Sequence, residues 1–77
     1  MKISFVVPTY REELNIIDHY KECVNSFYEV QKIFPKYSEY EYLVIDNCSD
    51  DKTVDKVISI RKNDKNVKLY VNDRNYG

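Results

Sequence analysis

Glycine is nearly absent from this sequence: among 77 residues only Gly77 is one. A glycine-rich phosphate cradle of the Walker or the dinucleotide type needs glycines for its tight turn and for close backbone approach. Neither type fits here, so any nucleotide binding must use other means. An excess of one charge is also lacking. Twelve Lys and Arg against 13 Asp and Glu leave a net charge of −1, without the broad basic footprint of non-specific nucleic-acid binding. Nucleic acid is not an expected partner. The two cysteines, Cys23 and Cys48, and the single His19 lack the paired spacing of a zinc site. Both thiols read as packed and inert, and a reducing cytoplasm is the expected location. Apolar runs are short. Ile3 to Val7 is too brief for a secretory signal, and nothing approaches the roughly 20 apolar residues of a membrane span. Residues 1–77 are long enough for one domain at most.

The residues present predict five elements. Lys2 to Val7 (KISFVV), β-branched and aromatic, reads as a strand stopped by Pro8. From Glu13 to Phe34 the apolar residues Leu14, Ile17, Tyr20, Val24, Phe27, Val30 and Phe34 recur by threes and fours, as a core-facing helix requires. Pro35 ends it. Glu41 to Asp46 (EYLVID) is a second strand. Asp50 and Asp51 supply carboxylates for the start of a helix running from Thr53 to about Asn63, with Val54, Val57, Ile58 and Ile60 inward. Val67 to Val71 is a third strand.

The order β-α-β-α-β predicts an α/β fold with a three-stranded parallel sheet and right-handed crossovers, the layout of a mononucleotide-binding half. Both crossovers run the same way, which puts both helices on one face. Strand two nevertheless has apolar side chains on both faces, Tyr42 and Val44 against Leu43 and Ile45. The fold reads as incomplete, with one sheet face uncovered.

Ligands of open parallel sheets bind beyond the carboxyl ends of the strands. Those ends hold the most polar clusters here: Pro8-Thr9-Tyr10-Arg11-Glu12-Glu13, Asp46-Asn47-Cys48-Ser49-Asp50-Asp51, and Asn72-Asp73-Arg74-Asn75-Tyr76-Gly77. Helix capping accounts for Asp and Ser before a helix, and for Glu12 or Glu13 in a first turn. It does not account for a carboxylate and an amide side by side, Asp46-Asn47, at the end of a buried strand.

The segments VVPTYREELNI, YEYLVIDNCSDDKTV and VKLYVNDRNYG resemble the N-terminal portion of the family 2 glycosyltransferases of GT-A fold. That family's usual pattern is VIPTYNEE, then a strand ending DDGSTDGT, then a strand leading to NxRNxG. The resemblance spans nearly the whole chain. It implies an enzyme that transfers sugar from a nucleotide-sugar donor, of UDP, GDP or dTDP type, to an acceptor, with this half binding the donor nucleotide. Carried over by position, Pro8 and Tyr10 border the base, Glu12 contacts the base or ribose, the strand-two motif reads the base edge, and Thr9, Asp46 and Asn47 complete the nucleotide-binding set. An aromatic ring such as that of Tyr10 offers a stacking face.

Three of the chain's departures from the pattern bear on the site. Arg11 replaces the usual asparagine, Asn47 the second aspartate and Cys48 the glycine. Asn47 keeps an acceptor but adds a donor and removes a charge, which leaves the base open. A cysteine at position 48 implies that no positive φ is demanded there. The family's Asp-x-Asp metal motif and its catalytic base are expected beyond residue 77. No catalytic residue, metal ligand or cofactor is therefore assigned within this chain, and a divalent metal, Mn or Mg, is expected only for the full-length enzyme. Peripheral membrane association of that enzyme is compatible with the resemblance. The alternative reading is a non-catalytic interaction module that self-associates or binds a partner through the uncovered sheet face or an edge strand, since aromatic residues favour interfaces.

Overall fold

The computed structural model describes residues 1–72. Its elements are β1 (Lys2–Thr9), α1 (Ile16–Ile33), β2 (Glu39–Asp46), α2 (Thr53–Asn63) and β3 (Val67–Val71). The strands form one parallel sheet in the order β1-β2-β3, as the helical crossovers predict. Register runs from Lys2 opposite Glu39 to Thr9 opposite Asp46, and from Tyr42 opposite Val67 to Asp46 opposite Val71. The three strands therefore end together at Thr9, Asp46 and Val71.

Alternation along β2 builds the core. Tyr40, Tyr42, Val44 and Asp46 are buried on one face, while Glu41, Leu43 and Ile45 are half-buried on the other. Ile16 of α1, Val57 of α2 and Val67 of β3 close on Tyr42 and Val44, so both helices cover the same face. Burying each such aliphatic side chain contributes about 1.5–3 kcal/mol. A layer of aromatic rings extends this core. Tyr20 meets Tyr42 edge-on at 5.2 Å, and Phe27 lies 5.0 Å from Tyr40.

Among the described residues no helix covers the opposite face. Its amino-terminal half is ionic: Glu41 lies 2.8 Å from Lys68 and 3.7 Å from Lys2. Its carboxyl half is apolar, with Val6 and Tyr70 about 60% exposed on either side of Leu43 and Ile45.

Four local expectations are corrected. β1 continues through Pro8 to Thr9. The Thr9 carbonyl accepts from Asn47 N–H and so faces β2; the Pro8 nitrogen therefore faces the free edge of β1, where no ladder bond is lost. β2 begins two residues early, at Glu39. α1 starts at Ile16 rather than Glu13, because Glu12 to Asn15 form a turn whose Glu12 carbonyl accepts from both Asn15 and Ile16. Leu14 on that turn is 84% exposed. In α2 Thr53 and Val57 are buried and Ile60 packs against the core as expected, while Ile58 is exposed.

Candidate functional site

The loops after β1 and β2 are joined by two parallel hydrogen-bond relays. In the first, Arg11 N–H donates to Ser49 Oγ (2.9 Å), whose hydroxyl donates to Asp46 Oδ1 (2.6 Å). In the second, Glu12 N–H donates to Thr53 Oγ1 (2.8 Å), whose hydroxyl donates to Asp51 Oδ1 (2.5 Å). Each relay runs from a backbone amide of one loop, through a hydroxyl of the other, to a carboxylate. Asp46 also accepts the Thr9 hydroxyl at 2.7 Å and Ser49 N–H at 2.8 Å. Asp51 also accepts Thr53 N–H at 2.9 Å and Glu13 N–H at 3.4 Å, which gives the first amide of α2 a partner outside the helix.

An ion pair clamps the outer rim. The Arg11 guanidinium donates through Nε and Nη2 to the two oxygens of Asp50, both at 2.7 Å, and lies 5.2 Å from the centre of the Tyr10 ring. This bond to Arg11 holds the Asp50 carboxyl below the usual carboxylate range. For Asp51, partial burial pushes the carboxyl up, but the Thr53 and Glu13 donors outweigh it and leave it low as well.

The expectation for Cys48 is overturned. Its φ is 57°, and that of Arg11 is 53°, so both departures from the glycine and asparagine of the family pattern occupy the left-handed region. Cys48 is also exposed rather than packed; Cys23 is half-buried, and burial raises its thiol pKa. A residue with a Cβ costs about 1–2 kcal/mol in this conformation. Cys48→Gly is expected to raise stability by about 1 kcal/mol, read as a higher urea midpoint at unchanged slope; a lower midpoint would show that the cysteine side chain itself contributes.

A cleft of about 250 Å³ opens between the end of β1 and the first turns of α1, lined by Val7, Pro8, Thr9, Glu12, Asn15, Ile16 and His19. Three of the expected site residues, Pro8, Thr9 and Glu12, meet there. Tyr10 and Asn47 are exposed on the adjoining loops, outside the cleft, and Asp46 lies beneath them, fully buried. Asn15 and His19 were not anticipated. Asn15 comes there on the turn closed by the Glu12 carbonyl, and His19, whose N–H bonds to the Asn15 carbonyl, on the first turn of α1. Asn15 Nδ2 reaches Glu12 Oε2 at 3.5 Å, and His19 Nδ1 lies 2.6 Å from the Tyr42 hydroxyl. The third polar cluster, after β3, falls at 73–77 outside the described residues, apart from Asn72, whose N–H bonds to the Asp46 carbonyl.

The carboxylates of this edge do not suit a metal ion. Asp46 is enclosed by hydroxyl and amide donors, Asp50 is exposed but paired through both oxygens with Arg11, and Asp51 accepts from Thr53 and Glu13. No grouping of three metal-ligating side chains occurs among the described residues.

A parallel β-α-β-α-β layer with its polar loops drawn together at the carboxyl edge has the architecture of one half of a doubly wound nucleotide-binding fold. Sequence comparison narrows the class. Residues 4–77 match the model of glycosyl transferase family 2, and the chain belongs to that family, as its GT-A-like topology agrees. It is 34% identical over 74 residues to the dolichyl N-acetyl-alpha-D-glucosaminyl phosphate 3-beta-D-2,3-diacetamido-2,3-dideoxy-beta-D-glucuronosyltransferase of Methanococcus voltae, covering 94% of this chain and 21% of that protein. It is 36% identical over all 77 residues to the poly(ribitol-phosphate) beta-N-acetylglucosaminyltransferase TarS of Staphylococcus aureus strain Mu50, covering 12% of that protein. The chain thus spans about a fifth or less of the length of these relatives. No solved structure matches it.

Proposed function

We propose that this chain is the donor-nucleotide half of a glycosyltransferase that moves sugar from a nucleotide-sugar to an acceptor. The observation that carries the reading is the fastening of two loops, residues 8–13 and 46–53, into one polar rim at the carboxyl edge of a family 2 fold. A preformed rim loses little conformational freedom when a ligand binds. On this reading Pro8, Thr9 and Glu12 offer a wall and a polar corner to a nucleoside, Tyr10 offers a stacking face, and the loop after β2 meets the base edge. The relatives named above are both glycosyltransferases, which supports the same reaction class here. The interaction-module alternative is not favoured, because the family match takes in all three strand ends.

The reading includes a divalent metal, Mn or Mg, held by residues of the full-length enzyme other than the carboxylates described here, to neutralise charge on the leaving diphosphate. It also includes a cytoplasmic location, supported by two cysteines that are both free. No helix among the described residues is long and apolar enough to cross a membrane.

Titrating the 77-residue chain with UDP, GDP and dTDP is expected to shift backbone amide signals of residues 8–13 and 46–51. Tyr10→Ala is expected to weaken binding about fivefold or more, since stacking on an aromatic ring is worth about 1–3 kcal/mol. Amide signals unmoved by all three nucleotides would refute the donor-binding assignment.

A further inference from the structure

The net charge of −1 conceals a separation of charge along the strands. At the carboxyl edge the loops 8–13 and 46–53 hold five carboxylates against Arg11 and Lys52. Each helix begins at that edge and ends at the opposite one, because it returns the chain to the start of the next parallel strand. The segments at this amino edge, 32–39 and 61–66, hold five cations against Glu39 and Asp64. Asp64 is occupied by the hydroxyls of Tyr20 and Tyr40, and Lys32 lies 3.2 Å from Glu29. Lys36, Arg61, Lys62 and Lys65 are exposed and form no ion pair among the described residues.

The two helix ends share one surface. Lys65 borders a shallow depression with Ile58, Arg61 and Lys62, and a second one that reaches Tyr28, Gln31 and Ser38 at the end of α1. Gln31 Nε2 donates to the Tyr37 carbonyl at 3.1 Å and holds the loop after α1. Ile33 and Phe34, 72% and 51% exposed, stand where that loop begins. The helix dipole accounts for Arg61 and Lys62 in the last turn of α2. It does not account for Lys36 and Lys65, which lie beyond the helix ends, nor for two large apolar side chains left in water at the same edge.

We propose that this amino edge docks on an anionic membrane surface, with Ile33 and Phe34 entering the headgroup layer and Lys36, Arg61, Lys62 and Lys65 meeting lipid phosphates and carboxylates. Binding to such a surface grows with the apolar area buried and with the number of cations brought to it. Each cation near the surface strengthens binding about fivefold. A soluble polyanion would engage the cations but gain nothing from Ile33 and Phe34, which favours the bilayer. The eight residues of β2 separate the two edges by roughly 25 Å, so docking leaves the polar rim facing away from the membrane. Membrane binding is then independent of nucleotide, and this inference does not rest on the nucleotide reading.

The test is co-sedimentation of the 77-residue chain with vesicles of phosphatidylcholine and phosphatidylserine, mixed about three to one to give a negative surface, and with vesicles of phosphatidylcholine alone. The chain is expected to partition to the anionic vesicles about tenfold or more strongly, to leave them as added salt screens the cations, and to bind equally with and without UDP. Lys62→Gln/Lys65→Gln is expected to weaken binding about twentyfold and Lys62→Gln alone about fivefold. Ile33→Ser is expected to weaken it about fivefold through lost apolar burial. Lys21→Gln, an exposed lysine toward the other end of α1, is expected to leave it unchanged. Circular dichroism confirms that each variant is folded. Equal binding to both kinds of vesicle, or equal losses in Lys21→Gln and Lys62→Gln, overturns the proposal. So does binding unchanged by Ile33→Ser, or capture by polyphosphate without capture by vesicles, which would mark a site for a soluble polyanion instead.

Discussion

Asp46→Ala is expected to destabilise the chain by about 3 kcal/mol or more, because hydrogen bonds to a charged group contribute about 1.5–3 kcal/mol each and buried donors left without partners add to the loss. Three donors converge on this carboxylate: the Thr9 hydroxyl at 2.7 Å, the Ser49 hydroxyl at 2.6 Å and Ser49 N–H at 2.8 Å. Chains of this size seldom hold more than about 3–5 kcal/mol in reserve, so the variant is expected to populate the unfolded state at room temperature. Asp46→Asn retains one acceptor but turns an amine toward hydroxyl or amide donors, and is expected to cost about half as much. Ser49→Ala, which breaks one relay and spares the Thr9 bond, is expected to cost about 1 kcal/mol. Urea unfolding followed by far-ultraviolet circular dichroism orders the three. A cost under 1 kcal/mol for Asp46→Ala would mean that water replaces its partners and that the strand ends are held by packing instead.

That carboxylate also shows where the sequence was legible. The order of elements and the parallel sheet followed from periodicity and crossover geometry, and the boundaries of α2 and β3 matched because capping carboxylates and β-branched runs mark them locally. Pro8 misled because its effect depends on which side of the strand its nitrogen faces, a property of strand order that no local window contains. Leu14 fitted the helical stripe but lies on a turn fixed by Thr53 and Asp51, some 40 residues away in sequence, as the separations of 41 and 38 show. The six candidate site residues stand at strand ends in a family pattern, and three of them share one cleft. Asp46 and Asn47 are adjacent in sequence but differ in burial. Only the third dimension separates a buried fastening group from an exposed amide, since side chains alternate across a strand. Ser49 and Thr53, which carry both relays, were the least conspicuous. Their signal was the short spacing Asp46-x-x-Ser49 and Asp51-x-Thr53, in which a hydroxyl or amide bonds back to a nearby carboxylate.

At the far end of the molecule Asp64 is expected to set the acid limit of stability. It follows α2, where the helix dipole disfavours a negative charge by about 0.3–1 kcal/mol. Its Oδ2 accepts the hydroxyls of Tyr20 and Tyr40, and its Oδ1 accepts Asn66 N–H at 3.0 Å. Burial pushes this carboxyl up, but the two tyrosines and the amide outweigh it, and it lies below the usual carboxylate range. A depressed carboxyl contributes stability that is complete above its unfolded value, about 4, and is lost as pH falls through the lower folded value. Asp50, Asp51 and Glu41 are depressed in the same direction and steepen the same limb. The tyrosines act with the opposite sign. Burial raises Tyr20 and Tyr40, with Asp64 adding to it, and burial raises Tyr42 as well. The unfolded chain therefore releases phenolic protons first, and stability falls as pH rises past about 10. One cluster thus bounds the stable range on both sides. Asp64→Ala is expected to cost about 2–4 kcal/mol near neutrality through the orphaned hydroxyls. Asp64→Asn, which keeps an acceptor and relieves the dipole, is expected to cost less. Urea midpoints measured from pH 2 to 11 should show a shallower acid limb for Asp64→Asn and an alkaline limb that persists, because burial is the larger cause of the tyrosine shifts. An acid limb as steep as that of the unmodified chain would assign the acid sensitivity to the loop carboxylates instead.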